Sequence, residues 1–161
     1  MTTYIPRIWL TGVLLTSPLP AVCADLSPLQ TVERLHKAMF EADAATAAAV
    51  LHAEYRGVSL PGPLDHRHVY TETRSKAVDD IAKLHRGEAE IRFLKTSTLF
   101  DSNGMAHVWA RYVFYDQGVA NHCGYESYGL FRAGGDWKII SFADTDNHLQ
   151  GRSVDEVCPE Q

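Results

Sequence analysis

The sequence predicts an α+β domain in which helices come first and an antiparallel sheet follows. Residues 105–145 are dense in aromatic and β-branched side chains and punctuated by Gly118 and the Gly134-Gly135 pair, which reads as three strands joined by tight turns. Upstream, apolar residues around Val32 and around Ile81 recur at helical spacing. The helical segments are collected ahead of the long strands instead of alternating with them, which separates α+β from α/β.

Each element has a local reason. Ser27-Pro28-Leu29-Gln30 combines a capping hydroxyl, a proline suited to the first helical position and a glutamine placed to close a capping box. Val32, Leu35, Met39 and Phe40 then put an apolar stripe on a helix over 29–42. Asp43 ends it and caps a second, alanine-rich helix over 44–51. A short strand is expected over 55–60, stopped by Pro61-Gly62-Pro63, with His66 to Tyr70 as loop. A third helix is expected over 73–86, with Val78, Ile81, Ala82 and His85 on one side and Gly87 as its stop. The strand over 89–100 turns at Asp101-Ser102-Asn103-Gly104, where Asn-Gly is a strong hairpin signal. In the next strand Val108, Ala110, Tyr112 and Phe114 point one way, and Trp109, Val113 and Tyr115 the other, joined by Arg111. In the last strand Ile140 and Phe142 are expected to oppose Trp137 and Ile139. A sheet with one wet face alternates more cleanly than this, so both faces are expected to be covered, the second by another copy of the chain in a homodimer. Arg111 and Glu126, on neighbouring strands, are expected to pair.

Residues 1–24 read as a leader and 25–161 as one domain. Arg7 precedes an apolar run from Ile8 to Val22 that Pro18 and Pro20 interrupt, and Val22-Cys23-Ala24 suits cleavage before Asp25. The run is too short for a comfortable membrane span. Cys23 as a lipid anchor is the rival reading, against which stands the bulk of Val22. Without Arg7, 14 basic residues face 20 acidic ones, a net charge of −6 that argues against a nucleic-acid surface. The remaining cysteines, Cys123 and Cys158, predict one disulfide in a periplasmic or secreted protein.

Three segments carry a family likeness: VWARYVFY (108–115), HCGYESYGLFR (122–132) and GDWKIISFADT (135–145). With the helix over 29–42 and the DAATAAAVLHAEY stretch after it, the chain resembles the nuclear transport factor 2-like (NTF2-like, SnoaL-like) superfamily, and within it the small proteins named for lumazine binding. The resemblance implies a cone-shaped fold, three N-terminal helices packed on a strongly curved antiparallel sheet, with a cavity between them. It implies no single activity, because members include isomerases, dehydratases, cyclases and binding proteins. Some work with Asp, His and Tyr in the cone, but their patterns do not align securely here and no catalytic role is carried over.

Candidate chemistry concentrates at the end of the last strand, Asp144-Thr145-Asp146-Asn147-His148. Alternate residues of a strand share a face, so Asp144, Asp146 and His148 are expected to converge, as a solvated strand end, an acid–base set or a metal site. The acid–base reading assigns catalysis to Asp144 with His122 or Tyr55; no metal and no cofactor are assigned. His52, Tyr55, Trp109, Tyr112 and Tyr128 are the expected ligand contacts, because pockets are mainly apolar with a few placed polar groups. His66, Arg67 and His68 form a basic loop that reads as solvated, with closure over an anionic ligand as the alternative. No phosphate loop, Ser-His-Asp order or CxxC pair occurs. These residues suggest an exported protein that binds a small, partly apolar molecule. An isomerase- or dehydratase-like enzyme is the alternative, and an accessory protein using the sheet face a further one.

Overall fold

Ser27 opens the first helix as its sequence predicts. In the computed structural model, which describes residues 26–62, 67–100 and 103–160, the Gln30 N–H donates to Ser27 Oγ (3.2 Å) and the Ser27 N–H to Gln30 Oε1 (2.8 Å). This box caps α1 (Pro28–Glu41), which Ala42 ends in the left-handed conformation at φ 56°. Asp43 Oδ1 then accepts from the Thr46 N–H (2.9 Å) and caps α2 (Ala44–Val50), which runs directly into β1 (Leu51–Pro61). A short β2 (Tyr70–Thr73) leads into α3 (Arg74–Ile81), and Arg74 donates to the carbonyls of Ala48 (2.7 Å) and Leu51 (3.2 Å) at the end of α2. Four long strands follow: β3 (Ala89–Phe100), β4 (Met105–Asp116), β5 (Val119–Ala133) and β6 (Asp136–His148). A last turn of helix, α4 (Val154–Val157), closes the chain.

The six strands form one curved sheet in the order β2-β1-β6-β5-β4-β3. All pairs are antiparallel except β1 with β6, which is parallel, so the sheet is mixed and not purely antiparallel as expected. Turn residues report on strands adjacent in sequence; the β1–β6 pair joins strands 75 residues apart and leaves no such mark. Three expected helices are present, α3 ending at Ile81, short of Arg86, and α4 adds a fourth. β1 begins four residues earlier than expected, and β2 replaces part of the expected loop. The leader over 1–24 and His66 lie outside the described residues.

Single extra residues bend the strands. Leu94 is unpaired between Phe93 and Lys95, Asn121 between Ala120 and His122, and Ile140 between Ile139 and Ser141. The last corrects the expected facing of β6. The extra residue flips parity, so Ile139 and Phe142 share the inner face and pack in one core. That core joins Val32 and Leu35 of α1, Val50 of α2 and Ile81 of α3 to Val108, Tyr128, Leu130 and Ile139 of the sheet.

The opposite face is partly covered by the chain's own tail. A disulfide joins Cys123 to Cys158 (Cα–Cα 6.2 Å), and Val154 and Val157 of α4 pack over it with Val113 and Leu149. Arg111 also serves the tail: its Nε donates to the Cys158 carbonyl (2.8 Å) and its Nη2 to Asp155 (2.6 Å). Its expected pairing with Glu126 fails because Glu126 lies opposite Ala110, on the inner face, while Arg111 points outward. Beyond the tail, Leu99, Met105 and Trp109 remain exposed on the outer face.

Candidate functional site

A cavity of about 380 Å³ opens between the sheet and the helices α1 and α3. Every strand contributes to its wall. Leu35, Met39, Ala77, Ile81, Ile91, Phe114 and Phe142 make the apolar part. The polar part is acidic: Glu72, Asp80, Glu126, Asp144 and Asp146 line it with Ser59, His122 and three tyrosines, and among the described residues no lysine or arginine does. Asp80 sits at the rim, tied to Lys76 and Lys83.

Two networks organise these groups. In the parallel pair Ser59 lies opposite Asp144, and its hydroxyl donates to Asp144 Oδ1 (2.5 Å). The Tyr112 hydroxyl, from β4, donates to Asp144 Oδ2 (3.2 Å) and to the Thr145 carbonyl (3.1 Å). Burial raises the Asp144 carboxyl above the usual range, and the two hydroxyl donors pull against that rise. Tyr55 donates to Glu72 Oε1 (2.7 Å), a contact for which Gly57 leaves room: a methyl there would sit 2.6 Å from Glu72 Cγ. Burial pushes both Tyr55 and Tyr112 well above the ordinary phenol value.

The second network is deeper. Glu126 lies directly opposite Asp144 across β5–β6 and is 1% exposed. Tyr128 donates to Glu126 Oε2 (3.1 Å), and the Tyr128 oxygen is 2.7 Å from His36 Nε2 on α1. His36 Nε2 and Glu126 Oε2 are 3.5 Å apart, which resembles an ion pair. Burial decides otherwise. It pushes Glu126 up to about 8 and pulls His36 down to about 3, so at neutral pH a carboxylic acid and a neutral imidazole face each other through the phenol.

No family profile matches the sequence, and no curated protein matches it. Solved structures do. An NTF2-like protein with a cystatin-like fold from Novosphingobium aromaticivorans aligns with a TM-score of 0.57 at 11% identity, over 75% of this chain and 79% of that one. An NTF2-like protein from Cytophaga hutchinsonii aligns at 0.55 and 14% identity, over 73% and 93%. The association domain of CaMKII from C. elegans aligns at 0.55 and 12% identity, over 72% and 90%. The chain has the NTF2-like, cystatin-like fold. At these identities the likeness speaks for architecture alone.

Of the residues expected to matter, the NTF2-like cone brings Asp144, His122, Tyr55, Tyr112 and Tyr128 to one cavity. His122 stacks on Phe114 (4.6 Å, 13°) and lies 3.7 Å from Asp146; burial keeps its imidazole below the ordinary value. Two expected ligand contacts lie elsewhere. Trp109 is on the outer face, 46% exposed and stacked on Tyr125, because it alternates with Tyr112's side of β4. His52 packs edge-on against Phe131 and accepts from the Glu54 N–H. Sequence reading missed Glu126, His36, Ser59 and Glu72. Glu126 shares parity with Tyr128, and His36 sits on the α1 stripe one turn after Val32, so both carried a signal. Ser59 and Glu72 did not, because the parallel pairing that brings β1 and β2 to Asp144 has no local signature.

Proposed function

We propose that this NTF2-like chain is an acid–base enzyme of the isomerase or dehydratase kind, acting on a small, partly apolar molecule that is neutral or cationic. One observation carries the reading: two carboxyl groups face each other across β5–β6 in the wall of a cavity that is part apolar and part acidic, and their surroundings differ. Asp144 is aimed by two hydroxyl donors, while Glu126 is sealed against a phenol and a neutral imidazole. Carboxyl pairs with contrasting environments divide acid and base roles. Here Asp144 takes a proton from a carbon beside a carbonyl, Glu126 gives its proton to that carbonyl oxygen, and an enol forms. The enol O–H then returns its proton to Glu126: delivery of the Asp144 proton to another carbon completes an isomerisation, and delivery of it to a departing β-hydroxyl, lost as water, completes a dehydration. The wall carries five carboxyl groups and, among the described residues, no lysine or arginine, which favours a neutral or cationic ligand over an anionic one.

The test is deuterium uptake by a panel of small cyclic ketones and β-hydroxy carbonyl compounds in D₂O, followed by proton NMR. The wild type should accelerate exchange, and Asp144→Asn should lose it with binding retained. Binding without exchange in the wild type refutes catalysis and leaves a binding module. That second reading is favoured by the Tyr55 and Tyr128 hydroxyls, which are already engaged by Glu72 and Glu126.

The disulfide and the absence, among the described residues, of a helix able to cross a membrane fit an exported protein, so the proposal includes a periplasmic or secreted location. It also includes a homodimer through the outer face at Leu99, Met105 and Trp109. The narrower likeness to the lumazine-named proteins rests on three sequence segments and adds no ligand.

A further inference from the structure

The geometry points to a divalent transition-metal site built by His122, Asp146 and His148 at the mouth of the cavity. It stands apart from the proposed Asp144–Glu126 chemistry, which uses neither histidine. The β5–β6 register sets His122 opposite His148, and Asp146, two residues before His148, faces the same side. Asp146 Oδ1 lies 3.7 Å from His122 Nδ1 and 4.0 Å from His148 Nε2, and one donor atom from each residue falls within 4.8 Å of the others. Both gaps exceed a hydrogen bond. Asp146 Oδ1 is nevertheless buried and has no hydrogen-bond partner among the described residues. A buried carboxylate oxygen left unsatisfied between two imidazoles asks for a cation.

The spacing suits one. An ion holding N and O ligands tetrahedrally at about 2.0–2.2 Å keeps its ligand atoms about 3.3–3.6 Å apart, so the widest gap in the trio, no more than 4.8 Å, closes by up to about 1.5 Å. The donors stand on two paired strands, and His122 is braced against Phe114. Between His122 and Glu126, Gly124 lets β6 approach β5 closely: a methyl there would lie 1.7 Å from the Thr145 carbonyl oxygen, next to Asp146. His122 Nδ1 is also 3.0 Å from Asn121 Oδ1, and an ion at that nitrogen displaces this contact. Two imidazoles and one carboxylate select the zinc, iron and cobalt class over calcium or magnesium, which prefer all-oxygen cages. Three protein ligands leave a coordination position open, and His122 and Asp146 both border the cavity, so the open position faces any bound ligand. There the ion would polarise a ligand oxygen or acidify a bound water.

Titration calorimetry of the full-length chain, stripped with a chelator and free of any histidine tag, tests this with ZnCl₂. Visible spectroscopy with Co²⁺ reports the geometry. One ion per chain is expected. Asp146→Asn and His148→Ala should each weaken binding more than about tenfold, and His107→Ala, on the outer face, should leave it unchanged. His148 is 54% exposed, so its removal leaves the fold intact even if Asp146→Asn disturbs it. No zinc binding by the wild type, or binding unchanged in His148→Ala, overturns the site.

Discussion

Replacing Glu126 by Gln should abolish a pH dependence of stability that the wild type shows between pH 6.5 and 8.5. Glutamine keeps the shape and an acceptor for the Tyr128 hydroxyl but cannot ionise. Burial pushes the folded-state pKa up to about 8 from 4.5, so between those values the folded chain holds a proton that the unfolded chain releases. A raised carboxyl contributes stability that is present at low pH and lost as pH climbs toward the folded value. At about 1.4 kcal/mol per pH unit, the loss from pH 6.5 to 8.5 is about 2 kcal/mol. His36 acts with the opposite sign in another window: its folded pKa of about 3 costs stability only below its ordinary 6.5. The two slopes cancel between about pH 4.5 and 6.5, so the upper window isolates Glu126. For a domain of this size the loss lowers Tm by about 6–10 °C. Thermal unfolding followed by circular dichroism at pH 6.5 and 8.5 measures it. Parallel Tm shifts in wild type and Glu126→Gln would show that Glu126 is ionised in the fold, and the donor assigned to the proposed reaction would be lost with it.

Reducing the Cys123–Cys158 bond, which spans 35 residues, should cost about 4 kcal/mol and lower Tm by more than about 10 °C, measured with and without reductant. Arg111→Met should cost about 2–3 kcal/mol by stripping the donor from the Cys158 carbonyl, whereas Asp155→Ala should cost under about 1 kcal/mol because Asp155 is exposed; urea midpoints compare them. Trp109→Glu should turn the proposed dimer into a monomer in light scattering at micromolar concentration, and a wild type already monomeric there would remove the dimer.

Local rules made the helices and the meander legible. The Ser27–Gln30 box, the Asp43 cap, the Asn103-Gly104 turn and the disulfide partners all act over short spans or by elimination, and each is where the residues predict. Asp144, His122 and Tyr112 were readable as candidates because strand parity puts functional side chains on one face. Tertiary structure decided the rest. The parallel entry of β1 beside β6 delivers Ser59 to Asp144. The bulge at Ile140 resets which β6 side chains face inward. Enclosure under α1 turns Glu126 and His36 from a possible ion pair into two neutral groups. A sequence records what each residue prefers beside its neighbours; the cost of removing a charge from water depends on everything packed around it, and only the closed cone sets that.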